Sequence, residues 1–155
     1  MPLEAGRPAP EFALDSTTGR TMSLQDLRGK KVVLYFYPKD DTPGCTKEAC
    51  NFRDSFADFE QAGAIILGVS PDDVSSHHDF KNKFNLPFPL LADPDHKIAE
   101  AYDVWKEKSM YGKKYMGIER TTYVIDGAGK IATVFPKVKV DEHHSEVLAA
   151  IKAAS

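Results

Sequence analysis

No apolar run in this chain approaches the length of a membrane span, so a helix buried in a bilayer is not expected. Charge of one sign is also missing as a feature: 20 Lys and Arg are interspersed with 23 Asp and Glu, for a net charge of -3. That balance gives no reason to expect nucleic acid or anionic lipid as a partner. Cysteine is scarce. Two in 155 residues are too few for a structural disulfide framework, and in a reducing compartment such a pair is more often transient and catalytic than structural. The opening MPLEAGRPAPEF has neither the basic end nor the apolar core of a secretory signal, so a cytoplasmic location is expected. Internal repeats, linkers and low-complexity tracts are absent as well, and the chain reads as one domain, 1–155, with enough length to bury a core.

What is present centres on the stretch from Pro38 to Gly63. It follows the apolar run Val32–Tyr37, which reads as a buried strand, and its composition predicts a short polar loop and then a helix. Thr42 is placed to cap that helix, Pro43 to be its first residue and Gly63 to lie past its end. Both cysteines fall on it. On a wheel of about 100° per residue, Ala49, Phe52, Phe56 and Phe59 lie within roughly 40° of Cys45, so Cys45 belongs to the face that packs on a sheet. With Thr42 as the cap, Cys45 is the third helical residue. A sulfur there meets unpaired amides and the positive end of the helix dipole, which favour thiolate over thiol. Only the thiolate is a competent nucleophile. Cys45 is therefore the candidate reactive residue.

Cys50 lies about 140° around the wheel, on the polar side. Residues i and i+5 of an intact helix have Cα atoms about 8.6 Å apart, beyond the roughly 7 Å limit for a disulfide. Either the two thiols are unrelated or the first turns of the helix unwind before they meet, an opening within reach of local unfolding equilibria.

The remaining pattern sets the fold class. Phe12 and Leu14, then Arg20–Met22, read as short strands around a turn at 16–19, and Ser23 with Asp26 marks a single helical turn that stops at Gly29. Ala64–Ser70 is a second buried strand, Val74–Phe84 a helix whose apolar face carries Phe80 and Phe84, and 85–93, with two prolines, an extended edge. A short helix over 94–103 precedes a stretch, 104–117, that reads as an ordered loop lining a site, with Trp105, Met110, Tyr111, Tyr115 and Met116. Thr121–Ile125 and Ile131–Phe135 form a hairpin about the turn DGAGK, and an amphipathic helix from Asp141 closes the chain. This order predicts an α/β domain: a central mixed sheet flanked by helices, right-handed crossovers at its parallel steps, and an N-terminal β-hairpin extension.

The pattern Pro38, Thr42, Cys45, followed by Thr46 and Glu48, with Arg120 opening a late strand, resembles the peroxiredoxin family. The likeness runs along nearly the whole chain, through APEFAL, GKKVVLYFYP, FPLLADPD and ERTTYVIDGAGKI. A second cysteine five residues after the first resembles the bacterioferritin comigratory protein or peroxiredoxin Q subgroup. The resemblance implies a thioredoxin-like fold with Cys45 as peroxidatic and Cys50 as resolving cysteine, paired in a redox-active disulfide. It also implies a pocket completed by Thr42, Arg120 and Pro38, with Glu48 in support. Hydrogen peroxide or an alkyl hydroperoxide is then the substrate, and thioredoxin or a glutaredoxin-type dithiol protein the reductant. Metal, flavin and nicotinamide are not needed. Because the resolving thiol lies on the same helix, a monomer is expected.

Peroxide chemistry needs hydrogen-bond donors aimed at both oxygens, and the helix-end amides, the Thr42 hydroxyl and the Arg120 guanidinium are the expected set. Three rival readings share some of these residues. A protein thiol–disulfide oxidoreductase is disfavoured by the lack of Cys-x-x-Cys. A zinc module would draw on Cys45 and Cys50 with His77, His78, His96, His143 or His144, but those histidines read as solvated surface residues. A redox-sensing protein would share the cysteine chemistry and differ in having a downstream partner.

Overall fold

A computed structural model of the chain describes residues 3–154; Met1, Pro2 and Ser155, which the expected lead-in, closing helix and domain limits include, lie outside the described residues. Alternation of side chains in the β-runs fixes the layers. In β3 (Lys31–Phe36), Val32, Leu34 and Phe36 pack into one apolar cluster while Val33 and Tyr35 pack into another, so the strand is covered on both faces. It is the middle of a five-stranded sheet in the order β5 (Leu90–Ala92), β4 (Ala64–Ser70), β3, β8 (Thr121–Ile125), β9 (Ile131–Phe135). β4 runs parallel to β3 and to β5. β8 and β9 are antiparallel, which makes the sheet mixed as expected. The N-terminal extension is present as the hairpin β1 (Ala13–Asp15) and β2 (Thr21–Ser23), followed by a single 3-10 turn at Gln25–Leu27.

Helices cover both faces. Cys45, Ala49 and Phe52 of α1 (Pro43–Asp54), Phe59 of α2 (Phe56–Gln61), Phe80 of α3 (Val74–Phe84), and Val147 and Ile151 of α5 (His143–Ala153) share the cluster that holds Val33 and Tyr35. Ala99 of α4 (Lys97–Ala101) joins the opposite cluster.

Two expectations are corrected. The single helix predicted up to Gly63 is two helices, because Ser55, with φ -105° and ψ 8°, leaves the helical region and restarts the hydrogen-bond register. The segment 104–117 is not a loop. It forms an antiparallel hairpin of β6 (Trp105–Met110) and β7 (Lys113–Ile118), turned by Tyr111 and Gly112, which both have positive φ. Among the described residues its two strands pair only with each other, and most of their side chains are exposed, so no burial pattern marks them as β.

Candidate active site

The sheet delivers two segments to one place. β3 ends against β4, with Tyr37 N–H donating to Val69 O at 3.0 Å, and half-buried Pro38 turns the chain out of the sheet. Thr42 is the N-cap of α1 and Pro43 its first residue, as expected. From the other side, the register Phe36↔Thr121 brings Arg120, the residue just before β8, alongside the end of β3. Its backbone is fixed there by Val138 N–H, which donates to Arg120 O at 2.9 Å.

Arg120 joins the parts. One guanidinium nitrogen, Nη2, lies 3.4 Å from Cys45 Sγ, and the other, Nη1, donates to Glu48 Oε1 at 2.7 Å. Cys45 and Glu48 are each 1 % exposed, and the Arg120 side chain 17 %. The sulfur therefore sits at a helix start, out of bulk water, under a fixed cation. One carboxylate away, burial pushes Glu48 up from its ordinary 4.5 to about 7 against the opposing pull of Arg120. Burial acts the other way on Arg120, but Glu48 and Cys45 outweigh it and leave the guanidinium raised. The second Glu48 oxygen, Oε2, and the hydroxyl of Tyr35 are buried without a hydrogen-bond partner among the described residues. Burial raises the Tyr35 hydroxyl well above its ordinary value, and Glu48 and Cys45 add to the rise.

Thr42 is in place but points its proton elsewhere. Its hydroxyl donates to Lys39 O at 2.8 Å and makes no cap bond, so toward a ligand it offers lone pairs. The expectation that it donates to peroxide is corrected: it is set to accept. Cys50 is half-buried on the flank of α1, and both cysteines are free in an unbroken helix.

Gly44, which the Pro38, Thr42 and Cys45 pattern leaves out, belongs to the site as well. A Cβ built there would stand 3.1 Å from Arg120 Nη2, so the guanidinium reaches the sulfur over a position that leaves almost no space for a side chain. The signal was present: glycine is a poor choice in a helical first turn unless something passes close by. Exposed His78 agrees with the expectation of solvated histidines, but two others do not. His77 and His143 are buried, not solvated. His143 Nδ1 lies 2.6 Å from Glu146 and its Nε2 2.8 Å from the Thr122 hydroxyl, while His96 stacks on Trp105 with centroids 4.0 Å apart. Among the described residues, the group with metal-ligand spacing is Asp40, Asp72 and His77, and it contains neither cysteine.

Comparison with known proteins accords with this geometry. Residues 5–134 match the AhpC/TSA family. The chain belongs to that family and is a peroxiredoxin. It is 56% identical over 148 residues to the putative peroxiredoxin bcp of Coxiella burnetii, covering 96% of this chain and 98% of the relative. It is 53% identical over 155 residues to peroxiredoxin Bcp of Bacillus subtilis, covering 100% and 99%. Among solved structures it resembles Xanthomonas campestris peroxiredoxin Q, with TM-score 0.90, 44% identity and coverage of 96% and 97%. It also resembles Mycobacterium tuberculosis peroxidoxin BcpB, with TM-score 0.86, 35% identity and coverage of 97% of each chain. This peroxiredoxin thus has the thioredoxin-like fold and a thiol peroxidase function, in the Bcp and peroxiredoxin Q subgroup. No helix among the described residues is long and apolar enough to cross a membrane.

Proposed function

We propose that the chain reduces hydrogen peroxide and organic hydroperoxides through Cys45, with Cys50 resolving the product and a thioredoxin or glutaredoxin-type dithiol restoring both. The observation that carries this reading is the Arg120 bridge, which touches the Cys45 sulfur and the buried Glu48 carboxylate at once. In the first step the Cys45 thiolate attacks the near oxygen of ROOH. An S–O bond forms, the O–O bond breaks, and its electron pair leaves on the far oxygen, which takes a proton to become ROH. Arg120 and the free amides of the α1 start stabilise the charge in flight, and the Thr42 oxygen accepts a hydrogen bond from the peroxide O–H. Pro38, which has no N–H, keeps one side of the sulfur dry.

Cys45 is left as a sulfenic acid. Its condensation with the Cys50 thiol expels water and makes the Cys45–Cys50 disulfide, which a dithiol then opens by exchange. The intact α1 holds the two apart, so its first turns unwind between the steps. The cycle calls on no metal, flavin or nicotinamide bound to this chain, the resolving thiol makes a partner subunit unnecessary, and 1–155 acts as one monomeric domain of a reducing, cytoplasmic setting. Alkyl hydroperoxides are included because the solved Xanthomonas campestris bacterioferritin comigratory protein, 43% identical with TM-score 0.90, is described by its alkyl peroxide reduction activity.

The test is peroxide-dependent NADPH oxidation with thioredoxin and its reductase. Cys45→Ser should bring turnover to the level of buffer, and Cys50→Ser should consume one equivalent of peroxide and accumulate sulfenic acid. A fully active Cys45→Ser protein refutes the reading, and equal helix content by circular dichroism in the reduced and oxidised forms refutes the unwinding.

A further inference from the structure

The loop that leads into α1 is held by a histidine the chemistry above does not use. His77 on α3 has no exposed surface. Its Nε2 lies 2.8 Å from the backbone oxygen of Leu91, which can only accept, so that nitrogen carries a hydrogen. Its Nδ1 lies 2.7 Å from Asp40 Oδ2. The same carboxylate takes the Tyr37 hydroxyl on Oδ1 at 2.6 Å and the Ser76 hydroxyl on Oδ2 at 2.8 Å. One hydrogen therefore sits in the histidine–carboxylate contact and another on the far nitrogen, and the ring spans β5 and the loop.

Asp40 is tied twice. Its backbone N–H donates to Asp72 Oδ2 at 2.8 Å, and that oxygen also receives the Ser70 hydroxyl at 2.6 Å. Asp40, Asp72 and His77 converge as metal ligands would, but both oxygens of Asp40, both nitrogens of His77 and Oδ2 of Asp72 already face hydrogen-bond partners. Protons fill this cluster. The next residue, Asp41, sits at φ 57°, a conformation that surroundings must impose on a non-glycine residue. Thr42 comes immediately after it, and its hydroxyl is aimed by Lys39 O inside the same loop.

We propose that His77 is a positioning residue of the peroxidase reaction: by its Nδ1 contact with Asp40 it holds residues 38–42 in the shape that aims the Thr42 oxygen and the start of α1 at the peroxide. The proposal rests on Cys45 being the attacking sulfur, and a Cys45→Ser control in the same measurement reports on that separately.

The two amide substitutions divide the ring's contacts. The Asn side chain in His77→Asn can place its NH₂ where Nδ1 was and keep the Asp40 contact, whereas the longer side chain in His77→Gln reaches Leu91 and gives Asp40 up. The measurement is the second-order rate at which the reduced full-length chain consumes limiting hydrogen peroxide, without reductant, beside the urea midpoint of each variant. His77→Gln is expected to be slower by on the order of 10- to 100-fold, the usual consequence of misplacing a catalytic group, and His77→Asn to stay within about threefold of the unaltered rate. Asp40→Ala, which leaves Nδ1 no acceptor at this position, should match His77→Gln. Equal rates in the two histidine variants, or a faster His77→Gln, would overturn the proposal. Should either fail to fold, an Asp40→Ala rate equal to that of the unaltered chain overturns it and a tenfold loss supports it.

Discussion

The two cysteines share one helix and almost nothing else. Cys45 is buried at the helix start beneath Arg120, with Glu48 one turn on and Tyr35 beneath. Cys50 is half-buried on the flank, where Lys47 pairs with Asp141 and Asn51 donates to Val140 O at 3.3 Å. A buried cation and carboxylate surround the first sulfur, whereas the second has the Arg53 charge nearby and tethers to the segment that precedes α5. On the proposed cycle the contrast has a reason. Attack on a peroxide needs charge stabilisation at the moment of reaction, whereas capture of a sulfenic acid by a neighbour needs nearness, and nearness here is controlled by whether the helix holds.

The contrast is sharpest in Arg120→Gln. Loss of the cation should slow single-turnover peroxide consumption by about 10²- to 10³-fold, while the later disulfide step, followed by thiol loss in stopped flow, keeps its rate. Slowing of both steps would break the division of labour. The same substitution leaves Glu48 buried and unpaired, at a cost of about 3 kcal/mol in urea unfolding.

Glu48→Gln probes the same side through pH. With its proton bound more tightly in the folded state, at about 7 against 4.5, the native carboxyl contributes most to stability below pH 4.5, and that contribution is lost as the pH climbs to about 7. The unaltered chain should therefore lose about 3 kcal/mol relative to Glu48→Gln across that window and nothing further above it. Parallel stability curves for the two proteins would mean that Arg120 keeps the carboxylate charged throughout.

A smaller effect is expected from Gly44→Ala. The added carbon meets Arg120 Nη2 at 3.1 Å, so the guanidinium shifts and peroxide consumption falls by about tenfold. Stability should hold or rise by up to about 1 kcal/mol, since alanine is the better helix former. The smallest change tests the Cys50 side alone. Asn51→Ala removes one tether worth about 1 kcal/mol, which should speed disulfide formation about fivefold and leave peroxide consumption untouched.

Much of this was legible in the residue order. β4, α3, β8 and β9 have the limits expected of them: the strands are short runs rich in apolar and β-branched residues bounded by turn residues, and α3 carries an apolar stripe of helical period. The β6–β7 hairpin was not legible: strands exposed on both sides carry no such period, and Tyr111-Gly112 is not one of the dipeptides that announce a tight turn. At the site, Thr42, Cys45, Glu48 and Arg120 come together from the motif, but the direction of the Thr42 proton depends on Lys39 O, a backbone group no motif records. His77 was misread against its own spacing. It lies on the Phe80 and Phe84 stripe, at i, i+3 and i+7, so helical period marks it for burial; what the period does not name is its partner there, a carboxylate from a loop 37 residues earlier in the chain.

The interruption at Ser55 sets a boundary on damage. Helix melting spreads along contiguous i to i-4 bonds, and here the amide of Ser55 turns back to Arg53 and Phe52 while Asp58 and Phe59 begin afresh from Ser55 O. Fraying that starts at Pro43 meets a firebreak at that residue. Phe59, with no exposed surface, stays seated in the core on the far side, so on the proposed cycle the opening of the first turns of α1 is contained before it reaches α2.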